Sequence, residues 1–179
     1  LYPSQYGAMC FDCGDVGFRI KLNPEYKANR PPMPDNLRRQ IPLIRQMAAA
    51  FGWNIVECPD YEADDLIGGF ARAVDSPVLI LSADKDLSQL IDERVSMIIP
   101  DKAGSFLQRG VDEVVEKFAV KPELMVDYLA LLGDASDNIQ GVNGIGPKGA
   151  AELLNTYGPA ENWMHDLSKL QDTRFYHKL

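Results

Sequence analysis

WNIVECPDYEADDLIGGFARAVDSPVLILSADKDLSQLIDERVSMII, residues 53–99, reads as strand, helix, strand, helix, strand. Trp53 to Cys58 is a short apolar strand. Tyr61 to Ala73 places Leu66, Ile67 and Phe70 at helical spacing, which predicts a helix with those residues inward. Val78-Leu-Ile-Leu-Ser82 is apolar almost throughout, the pattern of a strand buried on both faces of a parallel sheet. A short helix is expected over Leu87–Ile91, and Val95–Ile99 returns as a strand. Strands alternating with helices in this way predict a parallel α/β sheet flanked by helices.

The pattern extends upstream. Tyr6 to Asp12 is a mostly apolar strand ending in an aspartate. Phe18 to Pro34 contains Tyr26-Lys-Ala-Asn-Arg30 and then three prolines, so a basic loop or short irregular helix is expected. Asp35 or Asn36 can cap a helix running through Leu37, Ile41, Ile44, Met47, Ala48 and Phe51 and stopping at Gly52. Pro42 within it predicts a kink or a later start. Downstream of Val111 only helices are expected, over 111–118, 122–132 and 147–157.

Composition sets bounds on what this fold does. The chain has 179 residues, 46% hydrophobic and 25% charged, enough for one domain or one domain with an appendage. No apolar run approaches a membrane span, and no signal peptide is read. A start at Leu1 and an early end are what a fragment would show. The three cysteines, Cys10, Cys13 and Cys58, argue for a reducing compartment. Cys10 and Cys13 form a C-x-x-C, but there is no second pair to complete a zinc site, and only Cys58, His165 and His177 remain. The formal net charge of −8 speaks against nucleic acid if taken alone.

The acids, however, are concentrated. Asp12 ends the first strand. Glu62, Asp64 and Asp65 open the helix after the Trp53 strand. Asp84 and Asp86 follow the Val78 strand, and Asp134 and Asp137 follow the helix ending at Leu132. In an open parallel sheet, sites form at the carboxyl ends of the strands, so these eight carboxylates are expected to converge on one edge. Capping and helix-dipole compensation would account for one or two acids in Glu62-Ala-Asp-Asp65, not three. So many carboxylates together would repel strongly, and hard divalent cations resolve the repulsion. An oxygen-only donor set suits Mg²⁺ or Mn²⁺, two ions or more, and such sites serve phosphodiester hydrolysis. Removing the eight acids takes the net charge from −8 to zero. Basic residues such as Lys21, Lys27, Arg30, Arg38 and Arg39 would then be able to meet phosphates, or would form a solvated face.

GDASDNIQGVNGIGPKGAAELL, residues 133–154, adds a second feature. Gly141, Gly144, Ile145, Gly146 and Lys148 suggest a helix–turn–helix hairpin. Its glycines would let backbone N–H groups approach a phosphate, and the helix beginning near Pro147 adds its positive end. A plain turn between packed helices is the alternative.

Taken in order, FD at 11–12, EYKANRPPMP at 25–34, EADD at 62–65, SADKDLSQL at 82–90 and the 133–154 stretch resemble the 5′-nuclease family, in its bacterial exonuclease branch. The family includes the 5′→3′ exonuclease domain of bacterial DNA polymerase I, its stand-alone relatives and the flap endonucleases. The resemblance implies a PIN-like (resolvase-like) core over 1–110 with an arch region at about 15–36. It also implies a helical, C-terminally truncated subdomain over 111–179 with a helix-three-turn-helix DNA motif at 133–158. It implies Mg²⁺-dependent cutting of DNA 5′ flaps, 5′ ends and RNA–DNA primer junctions in replication and repair. The protein would be a monomer, cytoplasmic and nucleoid-associated, fused to or working with a DNA polymerase.

Carried over by position, Asp12, Glu62, Asp64 and Asp65 would centre on the catalytic ion. Asp84, Asp86, Asp134 and Asp137 would hold the second, partly through water. Lys27 and Arg30 would steer the scissile phosphate, and Tyr26 would stack on a base or pack. The turn at Gly141–Lys148 would bind K⁺ through its carbonyls.

The sequence departs from the family pattern in places. The family's first acid lies upstream of anything here. Ser82-Ala83 replaces a small residue and glycine, Gln140 and Asn143 stand where proline is common, and Gly149 stands where a hydroxyl residue is common. A haloacid-dehalogenase-like reading of FDCGDV fails, because Asp12 and Asp15 are three apart where two are needed. A PIN-type ribonuclease and a catalytically silent branched-DNA-binding module remain as rival readings.

Overall fold

The computed structural model describes residues 2–14, 17–101 and 104–179. Positions 15 and 16, at the start of the expected arch and including Asp15 of the rejected dehalogenase motif, lie outside them. The chain forms two compact units, Leu1–Arg72 and Ala73–Leu179.

The first unit is built on two parallel strands, β1 (Ala8–Cys10) and β2 (Asn54–Val56), in the register Met9 opposite Ile55. Helix α1 (Gly17–Leu22) follows β1 where a loop or irregular helix was expected, and turns fill 24–29. Helix α2 (Asp35–Ala50) runs unbroken through Pro42. Pro42 is exposed, so the carbonyl that loses its partner there can bond water. Neither Asp35 nor Asn36 occupies the N-cap, which is Pro34. The helix ends as expected: Gly52 at φ +85° donates its N–H to the Ala49 carbonyl at 2.9 Å. Its apolar stripe is largely uncovered, with Ala48 buried but Met47 and Phe51 exposed, because the three-residue strand β2 covers little more than one turn. Helix α3 (Ala63–Ala73) begins two residues later than expected and buries Ala71, while Phe70, expected inward, is exposed.

The second unit carries a three-stranded sheet in the order β3–β4–β5. β3 (Val78–Leu81) and β4 (Val95–Pro100) are parallel, with Leu79 opposite Ser96. The core gathers on β4, whose Val95, Met97 and Ile98 are buried. β3 is an edge strand of this sheet and not the doubly buried one expected: Ile80 is buried, but Leu79 and Leu81 are exposed. A one-turn 3₁₀ helix, Asp86–Leu90, tucks Leu87 and Ser88 inward. β5 (Phe106–Arg109), antiparallel to β4, was not foreseen.

Helices α4 (Val111–Phe118) and α6 (Pro147–Tyr157) fall where periodicity placed them, and α5 (Met125–Leu132) begins three residues later than expected, after a 3₁₀ turn over Pro122–Leu124. The Glu113 carboxylate accepts the Gly110 N–H at 2.7 Å to open α4. Val114, Met125, Leu131, Leu153 and Leu154 form the helical core, and Trp163, Leu170 and Phe175 from the C-terminal turns complete it. Between α5 and α6, β6 (Gly133–Asp134) and β7 (Ile139–Gln140) form a two-residue antiparallel ladder. Gly133 and Gly141 permit it. A Cβ on Gly133 would lie 2.2 Å from the Gly141 nitrogen, and one on Gly141 would lie 2.2 Å from the Leu132 carbonyl carbon. Among the described residues no helix is long and apolar enough to cross a membrane.

Candidate metal centres and nucleic-acid interface

The first acidic group sits at the carboxyl ends of β1 and β2. Parallel pairing of these strands brings Asp12, just past β1, to the start of α3, where its carboxylate accepts the Ala63 N–H at 2.7 Å. Asp65, on the first turn of α3, accepts the Glu62 N–H at 2.9 Å. Capping therefore uses Asp12 and Asp65, each through one oxygen. It does not use Glu62, which is only 8% exposed and takes both its donors from far along the chain. The Tyr26 hydroxyl reaches its two oxygens at 3.0 and 3.2 Å, and the Lys27 ammonium bonds one of them. The Arg19 guanidinium meets both Asp65 oxygens, at 2.6 and 2.7 Å. That fork, followed by the Glu62 N–H, holds the Asp65 carboxyl below the usual carboxylate range. Asp64 stands in the same helical turn. Burial, and then the charge on Asp64, raise the Cys10 thiol.

The second acidic group lies in the other unit. The Ser82 hydroxyl accepts the Asp84 N–H at 3.1 Å, and the Asp84 carboxylate accepts the Asp86 N–H at 2.9 Å, which folds the loop after β3 into nested turns. Asp134, on β6, accepts the Lys85 ammonium at 2.5 Å and the Ser136 N–H at 2.8 Å. Lys85 and then Ser136 hold it far below the carboxylate range. Asp137 closes the turn by donating its N–H to the Asp134 carbonyl at 3.2 Å. Asp86 behaves oppositely: burial raises its pKa. Its Oδ1 is buried without a hydrogen bond, with Lys85 Nζ at 3.5 Å.

The eight acids thus fall as four in each unit, Asp12, Glu62, Asp64 and Asp65 in the first and Asp84, Asp86, Asp134 and Asp137 in the second. Among the described residues no three acids, cysteines or histidines stand close enough to hold one ion. In each group a cation already occupies an acid: Arg19 on Asp65, Lys27 on Glu62 and Lys85 on Asp134. The donor set nevertheless fits a hard divalent ion. Every donor is an oxygen, and the orphaned buried oxygen of Asp86 is a site a cation would satisfy. Sequence reading missed Arg19 and Lys85. Arg19 lies 46 residues from its acid and Lys85 lies 49 from its own. Only the placement of Lys85 between two aspartates hinted at its role.

At the hairpin, Gly144 stands at φ +78° and Gly146 caps α6. Gly144, Lys148, Arg174, Phe175 and Lys178 line an open cavity of about 480 Å³. The Gly144 carbonyl, expected to face K⁺, accepts the Lys178 ammonium at 2.6 Å. Ile145 is buried at 6% exposure and anchors the turn from inside, and Tyr26 is buried with its hydroxyl on Glu62, the packing one of its two expected roles. Gly141 is used inward, against the Leu132 backbone. Cys10, Cys13 and Cys58 are free thiols.

The chain matches two family models end to end: the 5′-3′ exonuclease N-terminal resolvase-like domain over residues 2–119, and the 5′-3′ exonuclease C-terminal SAM fold over 120–179. It is 46% identical over 160 residues to DNA polymerase I of Pseudomonas aeruginosa, covering 88% of this chain and 17% of that protein. It is 40% identical over 170 residues to a 5′-3′ exonuclease of Aquifex aeolicus, covering 93% of this chain and 58% of that protein. The chain therefore spans less than two thirds of either relative. The T5 D15 protein, co-crystallised with metal ions, superposes with a TM-score of 0.81 over 98% of this chain and 70% of its own, at 21% identity, a likeness of fold.

Proposed function

The chain belongs to the 5′-3′ exonuclease family, and on that premise we propose that it hydrolyses phosphodiester bonds of DNA and RNA–DNA primer junctions at 5′ ends and flaps, with Mg²⁺ or Mn²⁺. The observation that carries this reading is the acidic start of α3: Glu62, Asp64 and Asp65, with Asp12 brought onto the same turn by parallel pairing of β1 and β2. Local capping leaves the buried Glu62 carboxylate unexplained, whereas a cation site explains it.

Asp12, Glu62, Asp64 and Asp65 would hold one ion, and Asp84, Asp86, Asp134 and Asp137 a second. When bound, such ions supply the Lewis acidity that activates water and offsets charge on the departing oxygen. The chain's own residues position the substrate. Lys27, already beside Glu62, and Arg30 would orient the phosphate. Lys148 and the N–H groups at the start of α6 would grip the duplex backbone without reading bases. The metal ions co-crystallised with the T5 D15 protein support the cofactor class.

A 5′-labelled flap substrate tests the proposal. Release of the flap with Mg²⁺ and none with EDTA is expected. Asp65→Ala should abolish release while duplex binding persists. Turnover by Asp65→Ala at the wild-type rate, or release in EDTA, would refute the assignment.

A further inference from the structure

We propose that the Lys178 ammonium is the hairpin turn's own cation, so that the grip of this turn on duplex phosphates needs no K⁺ from solution. The inference rests on the reading of residues 144–149 as a duplex-backbone site. It adds that the chain itself supplies the monovalent charge expected there.

Lys148, Arg174 and Lys178 line the cavity beside the turn, and among the described residues no acid does. At the first turn of α6, Pro147 has no N–H, and the Lys148 and Gly149 N–H groups have no acceptor within the helix, so they are donors for a phosphate oxygen. The Gly144 carbonyl works against them. Its oxygen carries partial negative charge at the edge of the same cavity, and it repels a phosphate unless a cation lies on it.

The Lys178 ammonium lies on it, at 2.6 Å. Its stem runs along the turn: a Cβ on Gly144, at φ +78°, would meet Lys178 Nζ at 3.3 Å and two carbons of the stem at 3.5 and 3.6 Å. The segment that carries Lys178 is anchored on α6. Phe175 is 3% exposed, and its carbonyl accepts the Lys178 N–H at 2.8 Å. The Phe175 ring sits where a Cβ on Gly149 would come within 3.2 Å of it, so the absence of a side chain at 149 leaves room for the ring. Arg174 is committed elsewhere, to Glu152 of α6, with its guanidinium 4.9 Å from the centre of the Phe175 ring.

K⁺ does not fit beside this ammonium. The two are monovalent cations of similar size that seek one carbonyl oxygen, and they repel each other there. The lysine is tethered to the same fold, so its binding is intramolecular and K⁺ must compete against it.

Fluorescence anisotropy of a blunt, labelled DNA duplex with the whole chain, in EDTA, tests this. Two buffers of equal ionic strength are compared, one of K⁺ and one of tetramethylammonium, which is too bulky to sit on the carbonyl. Wild type should bind equally in both. Lys178→Met should bind about tenfold more weakly than wild type in tetramethylammonium, equivalent to about 1.4 kcal/mol, and recover most of that loss in K⁺. Lys178 is exposed, and recovery in K⁺ itself shows the variant to be folded. Tighter binding by wild type in K⁺ than in tetramethylammonium would overturn the inference, because the turn would then still need an ion. A Lys178→Met loss of the same size in both buffers would overturn it too, since that marks a plain phosphate contact, and so would no loss in either. Each of these results leaves the hairpin reading standing. No duplex binding by wild type in either buffer would overturn both.

Discussion

The hairpin that carries Asp134 and Asp137 depends on two glycines for different reasons, and three substitutions separate them. Gly52 stands at φ +85° with nothing within 4 Å of the position a methyl group would take, so Gly52→Ala meets backbone strain alone. That costs about 1–2 kcal/mol for an L-residue held left-handed. Gly141→Ala has no left-handed backbone to strain, but its Cβ would lie 2.2 Å from the Leu132 carbonyl carbon and 2.3 Å from its oxygen. Backbone cannot yield as a side-chain tip does, and forced overpacking costs about 1–3 kcal/mol or more. Gly133→Ala combines both: φ 71° with ψ 177° is a region nearly exclusive to glycine, and its Cβ would meet the Gly141 nitrogen at 2.2 Å. Its expected loss is therefore roughly the sum, about 2–5 kcal/mol. Urea unfolding followed by Trp163, which is 3% exposed in the same unit, in a Trp53→Phe background, reads the two hairpin variants. Far-ultraviolet dichroism reads Gly52→Ala. Should Gly141→Ala cost no more than Gly52→Ala, the close approach of β6 to residue 141 would be wrong.

Two further outcomes follow from the charges. Asp65 and Asp134 are both held below their unfolded pKa by cations, so their contribution to stability is full above about pH 5 and is lost as pH falls below about 4; Lys85→Met should flatten that acid limb, as measured by urea midpoints between pH 3 and 7, and an unaltered limb would contradict the Lys85–Asp134 tie. Lys148→Ala should weaken duplex DNA binding and lower the slope of log K against log salt by about 0.9, the share of one phosphate contact, and an unchanged slope would remove Lys148 from the interface.

Elements whose pattern spans a full turn or several alternations were legible in the sequence. α4 and α6 fall where their apolar spacing put them, α5 starts three residues late, and β1 to β4 fall where short apolar runs did. β5 was not legible, because Phe106–Arg109 offers only two apolar residues and becomes a strand through pairing with β4. β6 and β7 were invisible for a stronger reason: two residues have no periodicity, and the ladder exists because two glycines let the backbones meet. Burial was legible where an element has a large partner and misread where it has a small one. Met47, Phe51 and Phe70 are apolar by pattern, yet exposed on helices that the two short strands of their unit cannot cover. In the candidate site the acids were legible because they cluster along the chain. Their cations were not, since Arg19 and Lys85 pair across 46 and 49 residues.

Those long-range pairs bear on what the acids are for. Arg19 and Asp65 keep side-chain exposures of 27% and 24%, and Lys85 and Asp134 keep 44% and 20%. Pairs so exposed contribute about 0–1 kcal/mol to stability, which is a weak reason to place charges there. Glu62 is different. At 8% exposure its charge would be costly to bury without Tyr26 and Lys27. An apolar residue in its place would pack without that cost, so stability alone does not account for an acid at 62. Asp86 makes the case more sharply: its Oδ1 is buried and accepts no hydrogen bond, and burial raises its pKa, with Lys85 opposing the rise and Asp84 and Asp134 adding to it. A buried carboxylate oxygen that accepts no hydrogen bond, and whose one charge partner is the Lys85 ammonium 3.5 Å away, is a place where a divalent cation would be held more strongly.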